Sequence, residues 1–90
     1  MYSKFGQFID GKWQPSEKNE TYDVINPATE ELIGKASKAT KNDVAKALKS
    51  AEKGFQIWKK TPAWERSSKI RKISELMRER KDVLAKWLAL

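Results

Sequence analysis

Ninety residues with a mass of 10.4 kDa allow one small domain at most, because a chain this short buries only about 60% of the surface it exposes when unfolded. A composition of 39% hydrophobic and 34% charged residues, with four Trp, three Phe and two Tyr, is that of a globular chain and not a disordered one. The absence of Cys and His excludes disulfide scaffolds, thiolate zinc sites, cysteine nucleophiles and the commonest general base.

The formal charge of +7 is unevenly placed. Residues 1–34 carry three Lys against six acids, and residues 35–90 carry sixteen Lys and Arg against six acids. Such asymmetry fits either a solvated helical surface or a phosphate-binding face. The N-terminus has no apolar signal-peptide core, and no stretch approaches the roughly 20 apolar residues of a membrane span. A cytoplasmic setting is therefore expected, and Asn19-Glu20-Thr21, a glycosylation acceptor only in secreted proteins, is read as chance.

The first element predicted is a β-hairpin over Gln7–Trp13. Asp10-Gly11 lies between two β-prone runs and suits a turn whose central residues both take positive φ. This register sets Ile9 opposite Lys12 and Phe8 opposite Trp13, an aromatic cross-strand pair. A polar stretch follows over 15–21, and strand character resumes at Tyr22-Asp23-Val24-Ile25. Asn26-Pro27-Ala28-Thr29 is a turn with proline presetting φ at its second position, and Leu32–Ala36 is the return strand. Gly34 marks a bulge or a close backbone approach.

Beyond Ala39 the period changes to that of a helix. Val44, Leu48, Ala51, Phe55 and Trp58 share one face, Thr40 is placed to cap, and Asp43 suits the positive end of the dipole. The helix is expected over Lys41–Lys59. Thr61-Pro62 signals a second helix, with the Thr hydroxyl as cap and proline in the first turn. Its stripe is Ile70, Ile73 and Met77, with Leu76 as a further candidate. Asp82 restarts the pattern in Val83, Leu84, Trp87 and Leu88. Phe55 and Trp58 are expected in the largest apolar cluster, against Ile70, Ile73 and Met77. No stop signal follows Trp87-Leu88-Ala89-Leu90, so the third helix is expected to continue in a longer chain.

Candidate chemistry is sparse. The four glycines are too dispersed for a G-x-G-x-x-G or Walker loop. Ser50-Ala51-Glu52-Lys53 matches S-x-x-K, but seven serines in a chain one-sixth lysine make about one chance match the expectation, and the companion motifs are missing. Glu30-Glu31 is the one adjacent carboxylate pair, and neighbours on a strand or turn diverge. Among the tryptophans only Trp64 lies off both the hairpin pair and the apolar stripes, and burial near the helix start is the expectation for it.

Taken together, Ile9-Asp10-Gly11-Lys12-Trp13, the run Val24-Ile25-Asn26-Pro27-Ala28-Thr29-Glu30-Glu31-Leu32-Ile33-Gly34, the spacing of Asp43-Val44, Ala47, Ala51, Phe55 and Trp58, the pair Glu65-Arg66, and Leu76, Met77, Arg80, Leu84 and Ala85 resemble the N-terminal segment of the NAD(P)-dependent aldehyde dehydrogenase superfamily. Ser67 departs from the Ala more frequent there. The opening residues and the Lys-rich first helix are similar to bacterial semialdehyde dehydrogenases, such as those acting on succinate semialdehyde.

The resemblance implies an α/β fold: N-terminal β-hairpins, then two to three amphipathic helices, part of a Rossmann-type cofactor domain. Residues 1–90 would be the N-terminal segment of that domain, and the whole protein would oxidise an aldehyde to a carboxylic acid with NAD or NADP through a cysteine thiohemiacetal. It also implies a homo-oligomer, dimer or tetramer, with no nucleic-acid or membrane partner. The family's cysteine, general base, oxyanion-stabilising Asn and phosphate-contacting loop fall beyond Leu90. No catalytic, cofactor-binding or metal-ligating residue is assigned within the chain. In some members a monovalent cation touches backbone carbonyls corresponding to Val24 and Ile25, and its carboxylate would also fall beyond Leu90, so no metal site is assigned. The 90-residue chain is expected to be inactive and to act as scaffold. The alternative reading, a small basic helical nucleic-acid-binding module, rests on the charge of residues 35–90 alone.

Overall fold

The computed structural model describes residues 6–90; the first residues, on which the reading of the N-terminus rests, lie outside them. Four short strands precede three helices: β1 (Gln7–Ile9), β2 (Lys12–Gln14), β3 (Thr21–Ile25), β4 (Leu32–Ser37), α1 (Lys41–Trp58), α2 (Ala63–Glu79) and α3 (Lys81–Ala89). The strands form two separate antiparallel pairs, β1 with β2 and β3 with β4. The chain divides into two compact units between Gly54 and Phe55, within α1.

In the first unit the Asp10-Gly11 turn takes the form its composition demands, with φ of 53° and 75°, the mirror-image turn that matches strand twist. Phe8 faces Trp13 and Ile9 faces Lys12. The two rings meet at 5.1 Å between centroids, tilted by 56°, a favourable geometry for aromatic quadrupoles. Gly6 has a different requirement: a Cβ there would overlap the Gln14 carbonyl, so only glycine lets the chain approach β2 so closely.

The second pair runs from Thr21↔Ser37 to Ile25↔Leu32 and carries a bulge between Val24 and Ile25, where β4 has Ile33 as an extra residue beside Gly34. At the turn, the Ala28 N–H donates to the Asn26 side-chain oxygen at 2.9 Å and the Glu30 N–H to the Asn26 carbonyl at 2.7 Å. Glu30 then takes φ of 61°. Asn26 thus closes the loop through its side chain and its backbone, and the Asn26 N–H returns to the Glu31 carbonyl at 2.9 Å.

In the second unit α2 starts with Pro62 in extended geometry as its capping residue and no side-chain cap. The expected Thr61 cap is therefore corrected. The Thr61 hydroxyl donates backwards, to the Ile57 carbonyl at 3.0 Å, and its N–H reaches the Trp58 carbonyl at 3.0 Å. Thr61 satisfies two of the carbonyls that α1 leaves open at its C-terminus, and α1 ends at Trp58, one residue before the expected Lys59. Arg80, with φ −106° and ψ 17°, separates α2 from α3, while the Arg80 N–H still reaches the Leu76 carbonyl at 3.1 Å and the Leu84 N–H reaches the Arg80 carbonyl at 3.0 Å.

The expected apolar cluster is also corrected. Phe55 is 59% exposed, Trp58 39% and Trp64 75%, and Ile70, Ile73 and Met77 are each more than half exposed. The stripes form as periodicity dictates, but a stripe is buried only by a facing element. Among the described residues, the only buried apolar side chain is Ile9.

Candidate functional site

Ser16 and Asp43 are the two buried polar residues described, and they organise the tightest cluster of side chains in the first unit. It joins the loop after β2 to the start of α1. Thr40 and Asp43 form a reciprocal cap: the Asp43 N–H donates to Thr40 Oγ1 at 3.2 Å and the Thr40 N–H to Asp43 Oδ2 at 2.9 Å. This is a capping box with Asp in place of the usual Glu or Gln.

The loop uses the same groups. The Glu17 N–H lies 3.3 and 3.2 Å from the two Asp43 oxygens. The Glu17 carboxylate in turn accepts from the Thr40 hydroxyl at 2.8 Å and the Asn42 amide at 3.1 Å. Ser16 holds the loop itself, accepting the Glu20 N–H on its hydroxyl at 3.2 Å and the Asn19 N–H on its carbonyl at 2.9 Å. Thr40 Oγ1 therefore donates once and accepts once, within its natural capacity.

Both carboxyls are held below their ordinary range. For Asp43 the chief cause is the Thr40 backbone N–H, with the Glu17 N–H and the Gln7 and Thr40 side chains adding to it against desolvation. For Glu17 the Asn42 amide leads, then the Thr40 hydroxyl and the charge of Lys46, against desolvation and the Asp43 charge. Hydrogen bonds to the ionised form keep both charged. The cluster is a clasp without a free nucleophile or base.

That arrangement also decides how the segment stands towards a dinucleotide. A helix N-terminus can cradle a phosphate when its amides are free, but at α1 the Thr40 hydroxyl and the Asp43 carboxylate already occupy this position. Gly11 sits in a hairpin turn, Gly34 in β4 and Gly54 inside α1. The start of α1 does not fit a dinucleotide phosphate.

The other sequence candidates are scattered. Ser50 Oγ lies 3.4 Å from Asp10 Oδ1, with Lys53 exposed one turn on, so S-x-x-K is helix surface. Glu30 and Glu31 are exposed at the β3–β4 turn. No group of three or more metal-binding side chains occurs among the described residues, and no described helix is long and apolar enough to cross a membrane. On α2, Arg71 and Lys72 line a groove with Trp64, and Arg78, with Lys81 at the start of α3, lines another with Ile70 and Met77; the cations are not gathered into one stripe. Sequence reasoning found the Thr40–Asp43 cap and missed Ser16, Glu17 and Asn42. The contacts of Glu17 with Thr40, Asn42 and Asp43 span 23 to 26 residues and leave no periodic signal.

Comparison with known proteins defines the class. The aldehyde dehydrogenase family model matches residues 13–90, and the chain belongs to that family. A protein of Staphylococcus aureus (strain bovine RF122 / ET3-1) described as "Putative aldehyde dehydrogenase" is 45% identical over 76 residues, 84% of this chain and 16% of that protein. The crystal structure of HpcC from Thermus thermophilus superposes with a TM-score of 0.83 at 40% identity, covering 87% of this chain and 15% of the other. Betaine aldehyde dehydrogenase from Staphylococcus aureus in complex with NAD+ gives 0.86 at 33% identity, covering 94% and 17%; one cysteine of that enzyme is seen both free and modified by β-mercaptoethanol. The fold is that of the matching part of these enzymes. The chain spans about one-sixth of the length of the relatives it matches.

Proposed function

We propose that residues 1–90 are the N-terminal segment of the cofactor-binding domain of an NAD(P)-dependent aldehyde dehydrogenase, and that their role is to scaffold this domain. The observation that carries the reading is the family match over residues 13–90 together with the close superposition on an NAD+-bound family member.

The activity of the whole protein is oxidation of an aldehyde to a carboxylic acid, with NAD(P) accepting the electrons and a cysteine holding the substrate carbonyl as a thiohemiacetal. A cysteine that takes a thiol adduct in the Staphylococcus aureus enzyme supports that chemistry. This chain has no Cys, and the start of α1 is closed by its own side chains, so no reaction step is assigned to it. What its own groups do is structural: Thr40, Asp43 and Glu17 hold the entry to α1, and the two hairpins set the path into it. The whole protein is a cytoplasmic homo-oligomer, dimer or tetramer, in this reading, and its substrate-selecting residues lie outside residues 1–90.

Calorimetry tests the assignment. The isolated 90-residue chain is expected to give no binding heat with NAD+ or NADP+, whereas a longer protein carrying this segment binds one of them and reduces it when an aldehyde is supplied. Micromolar binding by the 90-residue chain would place the cofactor site inside it and overturn the reading.

A further inference from the structure

Trp64 is the most exposed aromatic side chain among the described residues, at 75%, and it stands on the far side of α2 from the apolar stripe. At about 100° per residue, the nine residues from Trp64 to Ile73 make two and a half turns, whereas Ser68, Arg71 and Glu75, four, seven and eleven residues on, share its face. An element that covers Ile70, Ile73 and Met77 therefore leaves Trp64 pointing outward. Trp64, Ser67, Ser68, Arg71, Lys72 and Glu75 line one shallow groove there. Lys72 and Glu75 pair along the helix at 3.5 Å, both more than half exposed, while Trp64 and Arg71 have no hydrogen bond or ion pair among the described residues. Trp and Arg are enriched at the energetic centre of protein interfaces, and a large apolar ring in the middle of a polar helix face is unfavourable in water.

Resting on the homo-oligomer proposed above, we propose that this face of α2 binds the same face of a second copy of the chain, and that the contact joins two dimers into a tetramer. The face is complementary to itself about a two-fold axis. Antiparallel α2 helices that cross between Ser67 and Ser68 set Trp64 against the partner's Arg71 and, by symmetry, Arg71 against the partner's Trp64, two cation–π stacks in one contact. The same register carries Glu75 to the start of the partner's α2, where Lys60 precedes Pro62 and no side chain caps the first turn. A carboxylate there meets a cation and the positive end of the helix dipole. At the crossing point only serine side chains intervene, so the helix axes approach closely. One helix face per subunit is small beside the roughly 800 Å² per partner of a standard stable interface, so the contact adds to a larger one and does not hold a dimer alone.

The test uses the full-length enzyme, with circular dichroism to check that each variant folds. Sedimentation velocity is expected to show a tetramer for the parent, and for Trp64→Ala and Arg71→Glu a tetramer–dimer dissociation constant raised about tenfold or more, while Lys69→Ala, off the face, leaves it unchanged. Ser67→Cys places two thiols beside the two-fold axis, and oxidation with diamide is expected to link residue 67 to residue 67 of a second copy, as mapped by peptide mass; Lys69→Cys gives no such link. A tetramer that survives either Trp64→Ala or Arg71→Glu, the absence of a 67-to-67 link, a link from residue 67 to another segment of the same subunit, or a dimeric parent would overturn the contact and leave the homo-oligomer standing. A monomeric parent would overturn both.

Discussion

The two units of the chain reach closure by different means. In residues 6–54 the polar groups are answered locally: Ser16, Glu17, Thr40, Asn42 and Asp43 join one cluster of hydrogen bonds, and the hairpins complete their own ladders. In residues 55–90 the backbone is satisfied by helix, but the side chains are not. Phe55, Trp64, Ile70, Ile73 and Met77 are exposed, as Phe8, Trp13, Val44 and Leu48 are in the first unit, but here, among the described residues, no cluster of side-chain hydrogen bonds like that around Asp43 accompanies them, and Arg66 Nε is buried without a hydrogen-bond partner. Turn chemistry and capping are local and can be completed by a short chain, whereas an amphipathic face is completed only by another element.

The largest expected effect separates the two directly. In the full-length enzyme Trp58→Ala should cost about 3–5 kcal/mol, the usual penalty for deleting a buried large aromatic, read as a shift of the denaturation midpoint. In the isolated 90-residue chain, where Trp58 is 39% exposed, the same change should cost no more than about 1 kcal/mol. Turnover by surviving folded enzyme should be nearly unchanged, because no reacting atom is involved. An unchanged midpoint with lost turnover would make this helix part of the active site.

Next in size are changes that break the first unit from within. Gly11→Val puts a β-branched residue at φ of 75° and should destabilise by about 1–3 kcal/mol, and Thr40→Ala by about 0.5–2 kcal/mol, both in the 90-residue chain and in the full-length enzyme. Urea titrations of the two proteins check this. A Thr40→Ala effect confined to the full-length enzyme would show that the clasp does not close by itself.

The clasp was half legible. Thr40 with Asp43 three residues on is a local pattern, so the cap could be read directly, as could the positive-φ turn at Asp10-Gly11. The bulge beside Gly34 was legible as one of two readings. Ser16 and Glu17 read only as part of a polar stretch, because the fold alone brings this loop to the start of α1. Thr61 illustrates a different limit: a hydroxyl between two helices can serve the end of one or the start of the next, and the extended geometry of Pro62 decided for the end of α1. The exposure of Trp58 and Trp64 escaped sequence reasoning because periodicity says which residues share a face and nothing about what covers it.

Acid gives a smaller, graded effect. Asp43 and Glu17 are both held below their ordinary pKa range. A carboxyl with a depressed folded-state pKa contributes stability above its unfolded value and loses it as pH falls through the folded one. The clasp should therefore be intact at neutral pH and loosen as pH falls below about 4. NMR should show the Glu17 and Thr40 amides losing protection in that window, and Asp43→Asn should remove most of the dependence. The smallest effect is expected at the cross-strand pair Lys35–Asp23, 3.1 Å apart and more than half exposed on both sides. Asp23→Asn should change stability by about 0–1 kcal/mol and less at high salt.

The most direct measurement is amide hydrogen exchange on the 90-residue chain beside the full-length enzyme. The contrast between the units predicts that the Glu17, Thr40 and Asp43 amides are protected in both proteins, while amides of residues 63–89 exchange fast in the short chain and slowly in the enzyme, where the apolar faces are covered. Equal protection of residues 63–89 in both would contradict it, by showing that the second unit needs no cover.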